Sequence, residues 1–118
     1  MSYTSFEALA VWKRFARLAV RVYDALHDCH DYGLKDQRTR AAVSIASNIA
    51  EGAERESRPE YVRFLHIAKG SAAELRTQVY IAQRVGIVSD PPASELVTTC
   101  KAVSAMLHGL IKSLKLKF

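Results

Sequence analysis

The stretch Ser44-Ile45-Ala46-Ser47-Asn48-Ile49-Ala50-Glu51-Gly52 constrains this chain more than any other. It reads as helix, yet it is crowded with small residues and carries an amide and a carboxylate among them. Small side chains let a second helix approach closely, and a polar group on a packed face must find a partner there. A helix lying on a surface has no need of that mixture. The stretch is therefore expected to be the inner contact strip of an all-helical protein.

The rest of the chain has the matching pattern. Helix one is expected from Thr4 to about Asp28, with Thr4 and Glu7 at capping-box spacing. Leu9, Trp12, Ala16, Ala19, Tyr23 and Leu26 form one apolar seam, alternating steps of three and four. A second seam, Ala8, Val11, Phe15, Leu18, Val22 and Ala25, runs beside it. One seam docks a helix in a bundle. Two imply a helix buried on a broad arc, either central in the fold or shared with another subunit, with Val11, Phe15, Leu18 and Val22 as the candidate oligomer seam. Helix two should run from about Leu34 to Arg55, with Leu34, Ala41, Ile45, Asn48 or Ile49, and Gly52 as its contacts. Ser57 and Glu60 mark a second capping box with Pro59 in the first turn, and helix three continues to about Val85. Its seam is Tyr61, Leu65, Ala68, Ala72, Leu75, Val79 and Ala82, over a length of about 40 Å. Helix four follows from about Pro91 to Leu114, with Leu96, Cys100, Val103, Leu107, Leu110 and Leu114 inward. Four long helices joined by short turns predict an all-α, antiparallel up-down-up-down bundle, a single domain over residues 1–118.

Helices two and three, folded back on each other about Ser57, bring specific residues face to face. Ser44 is expected opposite Gly70 and Ser71, with the glycine allowing close approach. Arg40 should meet Glu74, Gln37 should lie near Thr77 and Gln78, and Glu51 near Arg63. Together Gln37, Arg40, Ser44, Asn48, Glu51, Arg63, Ser71 and Glu74 make a candidate structural polar network. Within it, Asn48 is expected to be a buried, register-fixing amide.

Chemistry is harder to find. The five glycines are scattered, leaving no Gly-rich phosphate loop, and there is neither a GxSxG elbow nor an HExxH helix. His27, Asp28, Cys29 and His30 crowd together, but a metal site ordinarily draws on a second cluster, and none is present. No catalytic residue, cofactor or metal is expected, and the chain reads as a non-enzyme. The two cysteines, Cys29 and Cys100, are read as reduced thiols. With no apolar run of membrane-spanning length and no signal-peptide pattern, the expected place is the cytoplasm. The formal charge of +5 permits an acidic partner. Lys13, Arg17 and Arg21 follow one another by four residues on helix one, with Arg14 alongside, about 6 Å apart in succession. That stripe suits the phosphates of RNA or DNA, without aromatic side chains beside it to read bases.

The segments Arg40-Ala41-Ala42-Val43-Ser44-Ile45, Asn48-Ile49-Ala50-Glu51-Gly52, Arg55-Glu56-Ser57, Phe64-Leu65, Ala68-Lys69-Gly70-Ser71 and Glu74-Leu75, with Gln37 before them, carry a resemblance. From about Phe6 to Gly86 the chain resembles the bacterial four-helix-bundle family named for proteins encoded in intervening sequences of 23S ribosomal RNA genes. Arg38 stands where that family usually has an aliphatic residue, and Thr39 where it often has arginine. The resemblance implies an antiparallel bundle assembled as a homopentamer, with no catalytic activity or cofactor. It also implies kinship with the accessory proteins of diversity-generating retroelements, which bind nucleic acid and a reverse transcriptase. The leading expectation is a non-enzymatic oligomeric module, a pentamer by the resemblance, that binds RNA or DNA through its basic surface without sequence preference. The alternative is a protein-interaction scaffold, for a reverse transcriptase or another nucleic-acid enzyme.

Overall fold

The computed structural model describes residues 9–25, 32–89 and 92–115, without the side chains of Val11, Tyr23, Ala25 and residues 32–38. Four helices account for most of them: α1 (Ala10–Ala25), α2 (Tyr32–Ala53), α3 (Arg58–Arg84) and α4 (Pro92–Lys115). Each helix packs on its two neighbours around the bundle, α1 on α2 and α4, and α3 on α2 and α4, with no contact across either diagonal among the described residues. Contacts between α2 and α3, and between α1 and α4, pair rising residue numbers with falling ones. The result is a four-helix bundle with extents of 48 × 20 × 19 Å. The capping pair Thr4 and Glu7 lies outside the described residues.

The ends of α3 show why it starts and stops where it does. Ser57 is extended, and its hydroxyl accepts the Glu60 N–H at 3.2 Å. The Glu60 carboxylate, however, turns to Arg63 rather than back to the cap, so the box is half formed. At the far end Gly86 takes φ +78, and the Ile87 N–H reaches the Ala82 carbonyl at 2.9 Å. That backward bond is the helix-ending turn a glycine makes easily.

In the core, α3 buries Leu65, Ala68, Ala72, Leu75, Val79 and Ala82, with Tyr61 half-buried. Against them α2 sets Ala41, Ala42, Ile45 and Ile49, and α4 sets Ala93, Leu96, Val97, Cys100, Val103, Leu107 and Ile111. Leu110 and Leu114 are only half-buried, because the inward line of α4 drifts to Ile111.

Of the two expectations for the broad arc of helix one, the structure shows a helix central in the fold and corrects the candidate subunit seam. Phe15, Leu18 and Val22 are 0%, 0% and 1% exposed within this one chain. They are its own core, and so are not a surface offered to another copy; the Val11 side chain lies outside the described residues. The other seam, with Trp12, Ala16 and Ala19, is the half-buried one. Over the middle turns of the helix Phe15, Leu18 and Val22 offer more apolar area than Ala16 and Ala19, and burial free energy scales with that area.

The close approach of α2 and α3 lies at Gly52, not at Gly70. A Cβ on Gly52 would sit 2.7 Å from the Phe64 Cβ and 3.3 Å from the Tyr61 carbonyl oxygen. Gly70 has nothing within 4 Å of the same position and is exposed. Gly52→Ala is therefore expected to lower stability by about 1–3 kcal/mol through overpacking, despite alanine's better helix propensity. Gly70→Ala should raise it by roughly 0.5–1 kcal/mol. Urea midpoints measure both, and a neutral Gly52→Ala would mean that the helices part at no cost.

Cys100 is a free, fully buried thiol, which apolar burial pushes up to about 11 from 9.0, against an opposing pull from Arg76. A raised acid pKa in the folded state gives stability that is complete below the unfolded value and is lost as pH rises through the folded one. The loss should fall between pH 9 and about 11 and amount to about 3 kcal/mol at most. The difference in urea midpoint between the protein and Cys100→Ala, followed across that window, measures it; a constant difference would contradict it.

Candidate nucleic-acid interface

α1 turns its bulky seam inward, which leaves its long cationic side chains on the side toward α4 and solvent. Arg14, Arg17 and Arg21 line a groove of about 620 Å³ between the two helices, floored by Leu18 and closed across by Thr99. Two of the three guanidiniums are held in place. Arg21 donates to the Thr99 hydroxyl at 3.4 Å, and that hydroxyl donates in turn to the Glu95 carbonyl one turn earlier at 3.0 Å. Arg14 lies 3.8 Å from the Met106 sulfur, a weak contact that still keeps the side chain along the groove. Lys13 is exposed on α1 but is not among the lining residues. The convergent set is thus Arg14, Arg17 and Arg21, since positions three and four apart share a face and Lys13 falls to its edge.

Among the described residues, carboxylates come near only at one end. Glu95 approaches Arg21 at 3.9 Å, and Asp24 lines a shallower recess with the same two residues. Both members of the Arg21–Glu95 pair are more than half exposed, so solvent screens most of the attraction. Arg17 and Lys13 have no carboxylate partner among the described residues.

The expected polar network divides into two parts. Arg40, Ser44, Ser71 and Glu74 do line one recess between α2 and α3. The Ser44 and Ser71 hydroxyls meet across it at 3.3 Å. Asn48 is half-buried rather than buried, and its amide donates to the Ser44 carbonyl at 2.8 Å and the Ser44 hydroxyl at 3.0 Å. It steadies the serine that spans the helices and does not span them itself. The Gln37 side chain lies outside the described residues.

Glu51 and Arg63 do not pair. Glu51 binds Arg55 at 3.1 Å, one turn along its own helix, and Arg63 binds Glu60 at 3.2 Å. A pair within one helix needs no cross-helix alignment of two long side chains, and it wins here. The two arginines then share a different partner, the Phe64 ring, with guanidinium carbons 5.0 Å (Arg55) and 4.7 Å (Arg63) from its centroid. The Arg63 hydrogen bond holds the exposed Glu60 carboxyl below its ordinary range. These contacts close the α2–α3 turn, where Arg55 and Arg63 each have both a carboxylate and a ring partner.

The described residues hold no group of three potential metal ligands, and none of the helices is long and apolar enough to cross a membrane. Cys29 and the neighbouring histidines lie outside the description.

Among proteins of curated function no match was found. Among solved structures, the crystal structure of a protein of unknown function from the S23 ribosomal protein family of Bacteroides thetaiotaomicron superposes with a TM-score of 0.79. The two chains are 22% identical, and the match covers 87% of this chain and 99% of that one, a likeness of fold. The family of 23S rRNA-intervening sequence proteins matches over residues 7–109, a span that takes in both the α2–α3 hairpin and the arginine groove. By that match this chain belongs to the 23S rRNA-intervening sequence protein family.

Proposed function

We propose that this protein is a non-enzymatic, cytoplasmic, homo-oligomeric module that holds RNA or DNA by its phosphates, without sequence preference. The observation that carries the reading is the convergence of Arg14, Arg17 and Arg21 on one solvent-open groove. Guanidinium groups suit phosphate because their planar donors match its oxygens in pairs. Among the described residues no aromatic side chain lines the groove, so none of them stacks on a base, and binding would be electrostatic. The pentamer implied by the family resemblance would repeat the groove around a ring and multiply its field. Phe15, Leu18 and Val22 have no part in that assembly.

A second reading, a scaffold for a protein partner such as a reverse transcriptase, is favoured by one specific observation. Ile67, Tyr80, Ile81 and Val85 are large, exposed apolar residues on or just past α3, with Ile81 and Val85 one turn apart. Exposed apolar side chains such as neighbouring Ile81 and Val85 offer a partner surface that a phosphate backbone would not use.

Salt separates the two. Binding of a short single-stranded oligonucleotide, followed by fluorescence anisotropy, should weaken with a log–log slope of about −0.7 per phosphate contacted. Arg14→Glu, Arg17→Glu and Arg21→Glu together should abolish it while the helical circular dichroism stays unchanged. Unaltered affinity in that triple variant would overturn the groove as the site. Sedimentation equilibrium tests the oligomeric part, and a monomer at every concentration would remove it.

A further inference from the structure

α4 carries cations on the side away from α1 as well. His108 Nδ1 lies 3.3 Å from Lys69 Nζ, which ties this side of α4 to α3. Lys101 lies two turns before His108, and Lys112 one turn after it, both exposed on the same side. Because α3 and α4 run in opposite senses, Arg76 comes across near Lys101, and it is close enough to Cys100 to act on its thiol. No carboxylate pairs with Lys69, Arg76, Lys101 or Lys112 among the described residues. Glu74 of α3 faces the α2 side with Arg40, and Glu95 faces Arg21. α4 is therefore flanked by two basic rows, one formed with α1 and the other with α3. Between them its outward ridge is small: Thr98, Ala105 and Gly109 are exposed, Ala102 is half-buried, and a Cβ on Gly109 would meet nothing within 4 Å.

We propose that the partner is double-stranded DNA, with α4 seated in the major groove and one basic row on each phosphate backbone. This deepens the reading of the arginine groove and rests on it. A single strand needs only one row. Two rows separated by one helix, about 10–12 Å across, match the two backbones that border a B-form major groove about 12 Å wide. The small ridge lets the helix settle between them, and its side chains are too short to specify bases, in keeping with phosphate-driven binding. The deep, narrow major groove of an RNA duplex would shut the helix out.

The test compares a short DNA duplex, its single strand and an RNA duplex of the same length by anisotropy at equal salt. The DNA duplex should bind about tenfold or more tighter than either of the others, given the additional phosphate contacts. Lys69→Gln, Lys101→Gln and Lys112→Gln together should bring duplex affinity down to the single-strand level and flatten its salt slope by about 2.7, at about 0.9 per contact. Single-strand affinity should hold. Ala105→Glu, which removes no cation, should give the same loss of duplex preference, and Glu95→Gln should tighten binding of both DNA forms. Equal affinity for duplex and single strand, or a triple variant that still prefers duplex, overturns this inference while the arginine groove stands. RNA duplex bound as tightly as DNA overturns the major-groove placement. Failure of the unaltered protein to bind any of the three overturns the underlying reading.

Discussion

The missing side chain at Gly52 sets the geometry of the α2–α3 half. With its Cβ position 2.7 Å from the Phe64 Cβ, α2 and α3 close on each other at the turn end. Further along the pair, the Ser44 and Ser71 hydroxyls span the gap at 3.3 Å. Small residues thus bring these two helices together at the turn end and meet across them at Ser44 and Ser71, beside the recess that Arg40 and Glu74 line. The opposite half is built differently. α1 brings Phe15, Leu18 and Val22 to the centre, where they join Val103 and Leu107 of α4 in the same core. Bulk in the middle and long arginines at the rim leave a groove, where small residues would have left a seam.

How far the sequence alone reveals this depends on whether a residue's neighbours are dictated by one helix or by two. α3 has a single unbroken apolar line, so its inward face could be read from period alone, as could its Ser57 start and Gly86 stop. α1 has two lines of equal period, and period cannot rank them. Volume does not rank them from the sequence either, since Phe15, Leu18 and Val22 outweigh Ala16 and Ala19 while Trp12 and Tyr23 weigh on the other line, so a helix central in the fold and one shared with another subunit are both open. Glu51 had two basic candidates, Arg55 within its helix and Arg63 across the turn, and the local pair formed. The arginine groove was half legible. Arg17 and Arg21 follow the four-residue step, whereas the choice of Arg14 over Lys13 depends on which side α4 occupies. The row on the far side of α4 could not be seen in the sequence at all. Its members, Lys69, Arg76, Lys101 and Lys112, belong to two helices and become one row only through the register recorded by the Lys69–His108 contact.

Charge is sorted in a way that the net +5 conceals. Glu51 and Glu60 gather at the α2–α3 turn, where each is spent on an arginine of its own helix, and both arginines rest on Phe64. Pairs of this kind cancel to almost no field a Debye length away, about 8–10 Å in physiological salt. Along α4 the balance is the reverse: on the α1 side three arginines face Glu95 and Asp24 at one end of the groove, and on the α3 side no carboxylate among the described residues pairs with the cations. The positive excess is therefore concentrated around α4 instead of being spread over the surface. A field focused on one helix attracts an extended polyanion more effectively than the same charge distributed evenly, because successive phosphates meet successive cations within a screening length.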